Sequence, residues 1–114
     1  MLSEFELKKI ERTIGRFIEK RRPPAHIRDK VDLNFRIENQ SIIIYESRAH
    51  WQNNSKRVEV PVAKATYVKT KKVWKIFWRK SDMKWHGYEP TNEVKELDEF
   101  ANVVDEDKYG CFFG

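Results

Sequence analysis

The sequence predicts one α+β domain, with an N-terminal helix, an antiparallel meander of about five strands and a C-terminal helix that carries a docked apolar tail. Apolar residues recur at helical spacing near each end of the chain and alternate with polar residues in between. The turns between the alternating segments are too short for parallel connections, which need a dozen or more residues. A length of 114 residues corresponds to a single domain, 1–114.

The composition indicates a folded protein in a reducing compartment. Charged residues make up 36% of the chain, but hydrophobic residues reach 39% and aromatic residues 13%, which disordered chains do not. The single cysteine, Cys111, excludes an internal disulfide. We expect no secretory leader, because the N-terminus has no basic region followed by an apolar region. We also expect no membrane span, since no apolar run approaches the roughly 20 residues that a span needs. The predicted location is the cytoplasm.

Charge is distributed unevenly along the chain. Residues 90–114 carry seven acidic and two basic side chains, whereas residues 1–89 carry 21 basic and 11 acidic ones. A basic body with an acidic end is typical of a protein whose body binds an anionic partner. The asymmetry fits an internal electrostatic match or head-to-tail self-association equally well, and the sequence leaves these alternatives open.

The first helix is predicted from its start, its apolar face and its end. Ser3 and Glu6 have capping-box spacing, in which each side chain accepts a hydrogen bond from the backbone amide of the other residue. The predicted buried face consists of Leu7, Ile10, Ile14, Phe17 and Ile18. Pro23 and Pro24 end the helix, because proline lacks an amide donor and restricts the residue before it.

Five strands are predicted between the helices. Their predicted ranges are 31–38, 42–51, 58–69, 73–80 and 84–89. Asn39 lies in the first turn, where asparagine tolerates a positive φ, and residues 52–55 form a polar loop. Pro61 falls inside the third strand and indicates an edge strand or a bulge, because proline cannot donate to the sheet.

The C-terminal segment is predicted to form a second helix followed by the tail. Pro90 ends the sheet, and Thr91 or Asn92 caps the helix. The apolar positions of this helix are Val94, Leu97, Phe100, Ala101 and Val104. The tail contains Tyr109, Phe112 and Phe113. Since it is too apolar to end freely in water, we expect it to dock on the apolar side of the sheet or beside the first helix.

Four segments spread through the chain carry a family resemblance. They are Phe17 to Pro24, Ala63 to Lys69, Lys84 to His86 with Tyr88 to Pro90, and Tyr109 to Gly114. Through them the whole chain resembles an uncharacterised bacterial family, domain of unknown function 3024. The resemblance implies a small bacterial cytosolic protein. It implies no activity and transfers no catalytic or binding residue, because the family has no assigned function.

The segment from Val62 to Tyr88 is both basic and rich in aromatic residues. It contains eight lysine and arginine residues against one acid, Asp82, together with six aromatic side chains. Proteins that bind single strands combine bases that hold phosphates with rings that stack on nucleobases. The leading hypothesis is therefore a non-enzymatic binding module for an anionic partner, with single-stranded nucleic acid as the candidate.

Strand alternation predicts which side chains of this segment face solvent. The rings and the aliphatic residue predicted to face the core are Trp74, Ile76, Trp78 and Trp85. The alternate positions, with two lysines of the preceding turn, are the predicted binding residues: Lys71, Lys72, Lys75, Phe77, Arg79, Lys84, His86 and Tyr88. The simpler alternative is a solvated sheet face whose lysines keep the protein soluble and discourage edge pairing.

Two other classes of function remain open. A protein-interaction module would use exposed aromatic residues or the acidic second helix. An enzyme would use Asp32 with Glu46 and Arg48, which faintly resemble the Asp…Glu-x-Lys arrangement of metal-dependent nucleases. The arginine weakens that match, because it stays protonated and cannot act as a base.

The remaining reactive side chains predict no metal site and no catalytic site. The three histidines, His26, His50 and His86, lack the spacing of metal ligands. Cys111 is predicted to be a small buried core residue rather than a nucleophile. Since there is also no glycine-rich phosphate loop, we predict no cofactor, and an enzyme is the less favoured class.

Overall fold

The computed structural model describes residues 2–50, 52 and 56–113 of the chain. It contains two helices and one antiparallel sheet, which confirms the predicted α+β class. The helices are Glu4–Arg21 (α1) and Leu97–Glu106 (α2). The strands are Val31–Glu38 (β1), Ser41–Ala49 (β2), Arg57–Val68 (β3), Val73–Arg79 (β4), Trp85–Gly87 (β5) and Glu93–Val94 (β6). Trp51, which was predicted to end the second strand, and residues 53–55 of the predicted loop lie outside the described residues.

The sheet is a meander in the order β1-β2-β3-β4-β5, with β6 pairing on β4 beside β5. The five strands of the meander agree with the sequence prediction, whereas β6 was not predicted. One register row crosses the meander and consists of Arg36, Ile43, Lys64, Phe77 and Gly87. Since directly opposed residues point to the same side of a sheet, these five positions share one face.

Helix α1 begins at the predicted capping box. The Ser3 hydroxyl accepts a hydrogen bond from the Glu6 amide at 3.1 Å, and the Glu6 carboxylate accepts one from the Ser3 amide at 3.0 Å. The hydrogen bond from the Ser3 amide holds the pKa of Glu6 below its ordinary value. Four of the five predicted apolar positions are buried, namely Ile10, Ile14, Phe17 and Ile18.

A single hydrophobic core lies between both helices and one face of the sheet. Its fully buried members include Ile10, Ile14, Ile42, Ile44, Ile76, Phe100 and Val104. Trp74 belongs to this core and Trp78 packs against it, as strand alternation predicts. The opposite side of the sheet is called the open face below, and it carries Arg36, Ile43, Tyr45, Lys64, Lys75, Phe77, Arg79 and Trp85.

Strand β3 contains a bulge next to Pro61. Ile44 pairs with Ala63, but the following residue, Tyr45, pairs with Pro61, so Val62 is the extra residue. This confirms the bulge that the proline indicated. The proline also lies at an edge, because in the described residues the stretch 57–62 of β3 pairs with β2 alone, and pairing with β4 begins at Ala63.

The second helix begins later than predicted. Its N-cap is Glu96, and neither Thr91 nor Asn92 caps it. The preceding segment instead adds β6 to the sheet, where Val94 pairs with Trp74 and is buried. The predicted start was wrong because Val94 has the spacing of an apolar helix position. In the structure it is instead buried as a residue of β6. Within the described residues, neither helix is long and apolar enough to cross a membrane.

The C-terminal tail docks through its last two phenylalanines. Phe112 is 8% exposed, and its ring centroid is 4.9 Å from that of Tyr88. Phe113 lies under the guanidinium of Arg21, with 4.1 Å between Cζ and the ring centroid. Docking was therefore predicted correctly for these two residues. It was wrong for Tyr109, which is 60% exposed, and Gly114 lies outside the described residues.

Asp107 holds the tail in place. It follows α2 in the left-handed region, with a φ of 43°. One of its carboxylate oxygens accepts from the Phe112 amide and the other from the Phe113 amide, each at 2.9 Å. These bonds turn the chain back onto the core immediately after the helix.

Candidate functional site

Three aromatic rings are distributed across the open face. Tyr45 lies on β2, Phe77 on β4 and Trp85 on β5, and each side chain is half-buried. Phe77 pairs with Gly87, two residues after Trp85, so the two rings are diagonal neighbours on adjacent strands. Such neighbours are about 7 to 8 Å apart.

Two cations lie between or beside these rings. The Lys64 ammonium is 5.6 Å from the ring centroid of Phe77 and 5.7 Å from that of Trp85. The Arg79 guanidinium carbon is 5.6 Å from the Trp85 centroid. Lys64, Phe77, Arg79 and Trp85 therefore form one contiguous group, called the cation–ring cluster below.

The bases on this part of the sheet form no ion pair with a carboxylate of the described residues. Among the ion pairs within residues 2–50, 52 and 56–113, none involves Lys64, Lys71, Lys72, Lys75, Arg79, Lys80 or Lys84. The other half of the open face differs, because Arg36 binds Glu38 at 2.5 Å and Glu59 at 2.6 Å. The hydrogen bond with Glu38 raises the pKa of Arg36. On the open face, the bases without an ion pair among the described residues therefore include Lys64, Lys75 and Arg79 of β3 and β4.

Gly87 leaves space next to the cation–ring cluster. It is the residue directly across from Phe77. A Cβ atom built on Gly87 would have no neighbouring atom within 4 Å. Gly87 therefore leaves room beside Phe77 that a larger residue would fill.

Five of the eight predicted binding residues lie where the sequence placed them. Lys75, Phe77 and Arg79 are on the open face, and Lys71 and Lys72 are exposed in the turn before β4. Lys84 was predicted as an outward residue of the last strand, but it is exposed in the turn that precedes β5. These six residues surround β4, and their role in binding remains a prediction.

The predicted orientations on the last strand of the meander were wrong. Trp85 is on the open face rather than in the core, because it pairs with Arg79. Tyr88 is only 3% exposed, and burial raises the pKa of its hydroxyl. His86 pairs with Trp78 on the helix side of the sheet and is 2.8 Å from a carboxylate oxygen of Asp82.

The turn between β4 and β5 explains this error. Arg79 and Trp85 are paired, which leaves five residues in the turn, and Met83 among them has a positive φ of 63°. A change of one residue in the register moves every side chain of a strand to the other face. With this turn, Trp85 points to the open face. His86 and Tyr88, which alternation alone places outward, point to the other side of the sheet.

Two members of the cation–ring cluster and one neighbouring ring were missed as site residues. Lys64 belongs to the basic segment, but its contact with Phe77 could be predicted only from the register of β3 with β4. Tyr45 was detectable, since Ile42 and Ile44 are core positions and alternation then directs Tyr45 outward. Trp85 had no comparable local signal.

The proposed nuclease-like residues are not brought together. Asp32 pairs with Ser47, so its side chain is directed away from those of Glu46 and Arg48, which bind each other at 2.9 Å. Arg22 holds Asp32 through two hydrogen bonds, of 3.0 and 2.8 Å, and these lower the pKa of Asp32. In the described part of the chain, no three His, Cys, Asp or Glu side chains are grouped to hold a metal ion.

Cys111 is half-buried and packs against the core, so its predicted burial is only partial. Burial raises the pKa of its thiol. A raised pKa reduces the thiolate fraction at neutral pH, which is the form that reacts as a nucleophile.

Comparison with known proteins identifies the family but no activity. A family model described as Domain of unknown function (DUF3024) matches residues 2–114. No curated protein matches the chain, and no solved structure matches it. The match confirms the family resemblance found in the sequence.

Proposed function

We propose that this chain, which belongs to the family described as Domain of unknown function (DUF3024), is a non-enzymatic module that binds single-stranded nucleic acid on its open face. The observation that carries the proposal is the cation–ring cluster, whose bases have no carboxylate partner within the described residues. We also propose a cytoplasmic location, because the only cysteine is a free thiol.

A comparison of the cation–ring contacts with the base–ring contacts that would replace them favours binding of single-stranded nucleic acid. Each cation–ring contact at an exposed site contributes about 0.5 to 1 kcal/mol. A nucleobase stacked on an aromatic ring contributes about 1 to 3 kcal/mol. If Lys64 and Arg79 move from the rings to phosphates, three cation–ring contacts worth about 1.5 to 3 kcal/mol are lost. Two bases, one stacked on Phe77 and one on Trp85, would contribute about 2 to 6 kcal/mol in their place.

The lysines in the turns at the two ends of β4 indicate the direction in which a bound nucleic acid would run. β4 has seven residues, which corresponds to a length of about 20 Å. Lys71 lies in the turn before β4, and Lys84 lies in the turn after it. A nucleic-acid strand along β4 would meet phosphate-binding charge at both ends and rings in the middle. Such a site has about the length of four nucleotides, the smallest size known for a single OB-fold.

A double variant tests the proposal. Lys64→Gln with Arg79→Gln should weaken binding to a fluorescently labelled oligothymidylate at least about tenfold at low salt, measured by anisotropy. The matched control is Lys8→Gln with Arg12→Gln, which removes the same charges from the exposed surface of α1 and should leave the affinity within about twofold.

Two results would contradict the proposal. The first is an absence of binding by the unmodified protein to any single-stranded oligomer at low salt. The second is an equal loss of affinity in both double variants, because that would show a dependence on net charge rather than on the cluster. As a second variant, Trp85→Leu keeps the charge and removes a ring, and it should weaken binding about fivefold or more.

The alternative remains a protein-interaction module. The observation that favours it is the acidic surface of α2, where Asp98, Glu99 and Glu106 are exposed. Those carboxylates complement the free lysines around β4 of a second copy. Salt-sensitive self-association in sedimentation experiments, without binding to single strands, would select this alternative.

A further inference from the structure

A pocket lies on the helix side of the sheet, apart from the open face. Its volume is about 280 Å³, and it is bordered by the first turns of α1, the turn between β3 and β4, and the start of α2. Buried side chains of Ile10, Trp74 and Leu97 form its apolar part. Since Trp74 belongs to the core side of β4, the pocket and the cation–ring cluster are on opposite sides of the sheet.

Three aromatic rings line the pocket. Tyr67 and Trp74 are in contact, with 5.0 Å between their ring centroids and 49° between their planes. The third ring belongs to Phe5, which is 79% exposed. A phenylalanine left in water forgoes the stabilisation that its burial contributes. A planar ligand in the pocket would cover this ring.

The charged side chains of the pocket give it a positive surplus. Lys9, Lys72 and Lys95 line it, together with the carboxylates of Glu6 and Glu96. Both carboxylates are engaged, because Glu6 accepts from the Ser3 amide and Glu96 is 3.4 Å from the Lys9 ammonium. In the part of the chain that the structure describes, no ion pair uses Lys72 or Lys95.

We propose that this pocket binds a small planar aromatic anion. The rings of Phe5, Tyr67 and Trp74 supply flat apolar contacts, while Lys72 and Lys95 supply the charge that selects an anion over a neutral or cationic ring. Ligand pockets usually measure about 300 to 1,000 Å³, so a volume of about 280 Å³ limits the ligand to about the size of a mononucleotide. This inference does not rest on the proposed binding of single strands.

A titration of the full chain tests the class of ligand. The probes are adenosine 5′-monophosphate and indole-3-acetate, each compared with its uncharged counterpart, adenosine and indole-3-acetamide. Binding is followed by ¹H–¹⁵N NMR at the backbone amides of Tyr67 and Lys95 and at the indole N–H of Trp74. At least one anion should bind about fivefold or more tightly than its uncharged counterpart, which corresponds to about 1 kcal/mol. The anion that binds identifies the acid as a phosphate or a carboxylate.

Variants then locate the binding. Phe5→Ala, and separately Lys72→Gln with Lys95→Gln, should each weaken the tighter probe about fivefold or more. The controls are Met83→Ala, another highly exposed apolar residue, and Lys8→Gln with Lys20→Gln, which lie on α1 and do not line the pocket. The proposal is overturned if neither anion shifts the pocket resonances, if the shifts are confined to the open face, if the uncharged counterparts bind equally well, or if the pocket variants bind as the controls do.

Discussion

Arg79 and Trp85 are directly paired on antiparallel strands, and the guanidinium carbon of Arg79 is 5.6 Å from the centroid of the indole ring. The pairing fixes the largest ring of β5 on the open face, next to a cation that forms no ion pair within the described residues. Lys64 reaches the same ring from β3. The chemistry of the open face therefore depends on a register that brings three strands together.

The first prediction concerns salt. If Lys64 and Arg79 each bind one phosphate, the variant Lys64→Gln with Arg79→Gln should reduce the slope of log affinity against log salt concentration by about 1.4. Each phosphate contact on a single strand contributes about 0.7 to that slope, because neutralising a phosphate releases counterions. The slope is measured by anisotropy over a series of KCl concentrations. An unchanged slope would show that neither residue contacts a phosphate.

The second prediction concerns a helix glycine. Gly15 lies inside α1, and a Cβ atom built there meets no atom within 4 Å. Gly15→Ala should therefore raise the free energy of unfolding by about 0.5 to 1 kcal/mol, since glycine loses more backbone entropy in a helix. Urea denaturation measures this change. Gly110→Ala is the contrasting variant and should destabilise the protein, because Gly110 has a φ of 68° that alanine adopts only with strain.

Local sequence spacing was sufficient to predict several elements of the fold. The capping box of Ser3 and Glu6 depends on residues three positions apart, and both hydrogen bonds are present. Asn39 has the positive φ expected in the first turn. Pro61 marks the bulge in β3 because a missing amide donor acts within its own strand. Each of these features is determined by a few neighbouring residues.

The candidate site was harder to predict because it depends on pairing between distant segments. The side to which Trp85 points is set by the turn from Lys80 to Lys84, whose register no local pattern reveals. The burial of Tyr88 depends on contact with Phe112, which lies 24 positions later in the chain. Alternation therefore predicted β4 correctly and failed on the segment that follows it.

The third prediction concerns pH. The hydrogen bonds from Arg22 lower the pKa of Asp32 in the folded state. A lowered pKa stabilises the fold above the unfolded-state value of about 3.9, and this contribution is lost as the pH falls through the folded-state value. Asp32→Asn should therefore be less stable than the unmodified protein at neutral pH, with a difference that shrinks below about pH 4. Urea midpoints measured across this range test the prediction.

The control for this pH effect is Asp29→Asn. Asp29 is exposed, and its carboxylate takes part in no ion pair within the residues that the structure describes. Its substitution should change the midpoint little at any pH. A loss of stability in Asp32→Asn that is constant with pH would contradict the assigned role of Asp32.

The fourth prediction concerns the tail. Phe112→Ala removes a buried ring and should lower the free energy of unfolding by about 3 to 5 kcal/mol, whereas Tyr109→Ala, at an exposed position of the same tail, should change it by no more than about 0.5 kcal/mol. Urea denaturation of both variants gives the comparison. A midpoint of Phe112→Ala equal to that of the unmodified protein would show that the Phe112 ring contributes nothing to the stability of the fold.

The last prediction separates binding from stability at Gly87. Gly87→Thr adds a β-branched side chain to β5, where a Cβ atom meets nothing within 4 Å. Threonine favours strands and glycine weakens them, so the free energy of unfolding should stay unchanged or rise by up to about 1 kcal/mol. The new side chain also fills the space beside Phe77, which pairs with Gly87. A nucleobase would then lose access to that ring, and affinity for oligothymidylate should fall about fivefold or more.

Anisotropy and urea denaturation of the same preparations measure both quantities for Gly87→Thr. Gly87→Ala is the control, because it adds only a methyl group and should reduce the affinity less. Weaker binding with undiminished stability identifies the surface beside Phe77 as part of the interface, since a general loss of structure is excluded. If the threonine variant binds as tightly as the unmodified protein, the bound oligothymidylate does not contact Phe77. The site must then be confined to Trp85 and the lysine and arginine residues around it.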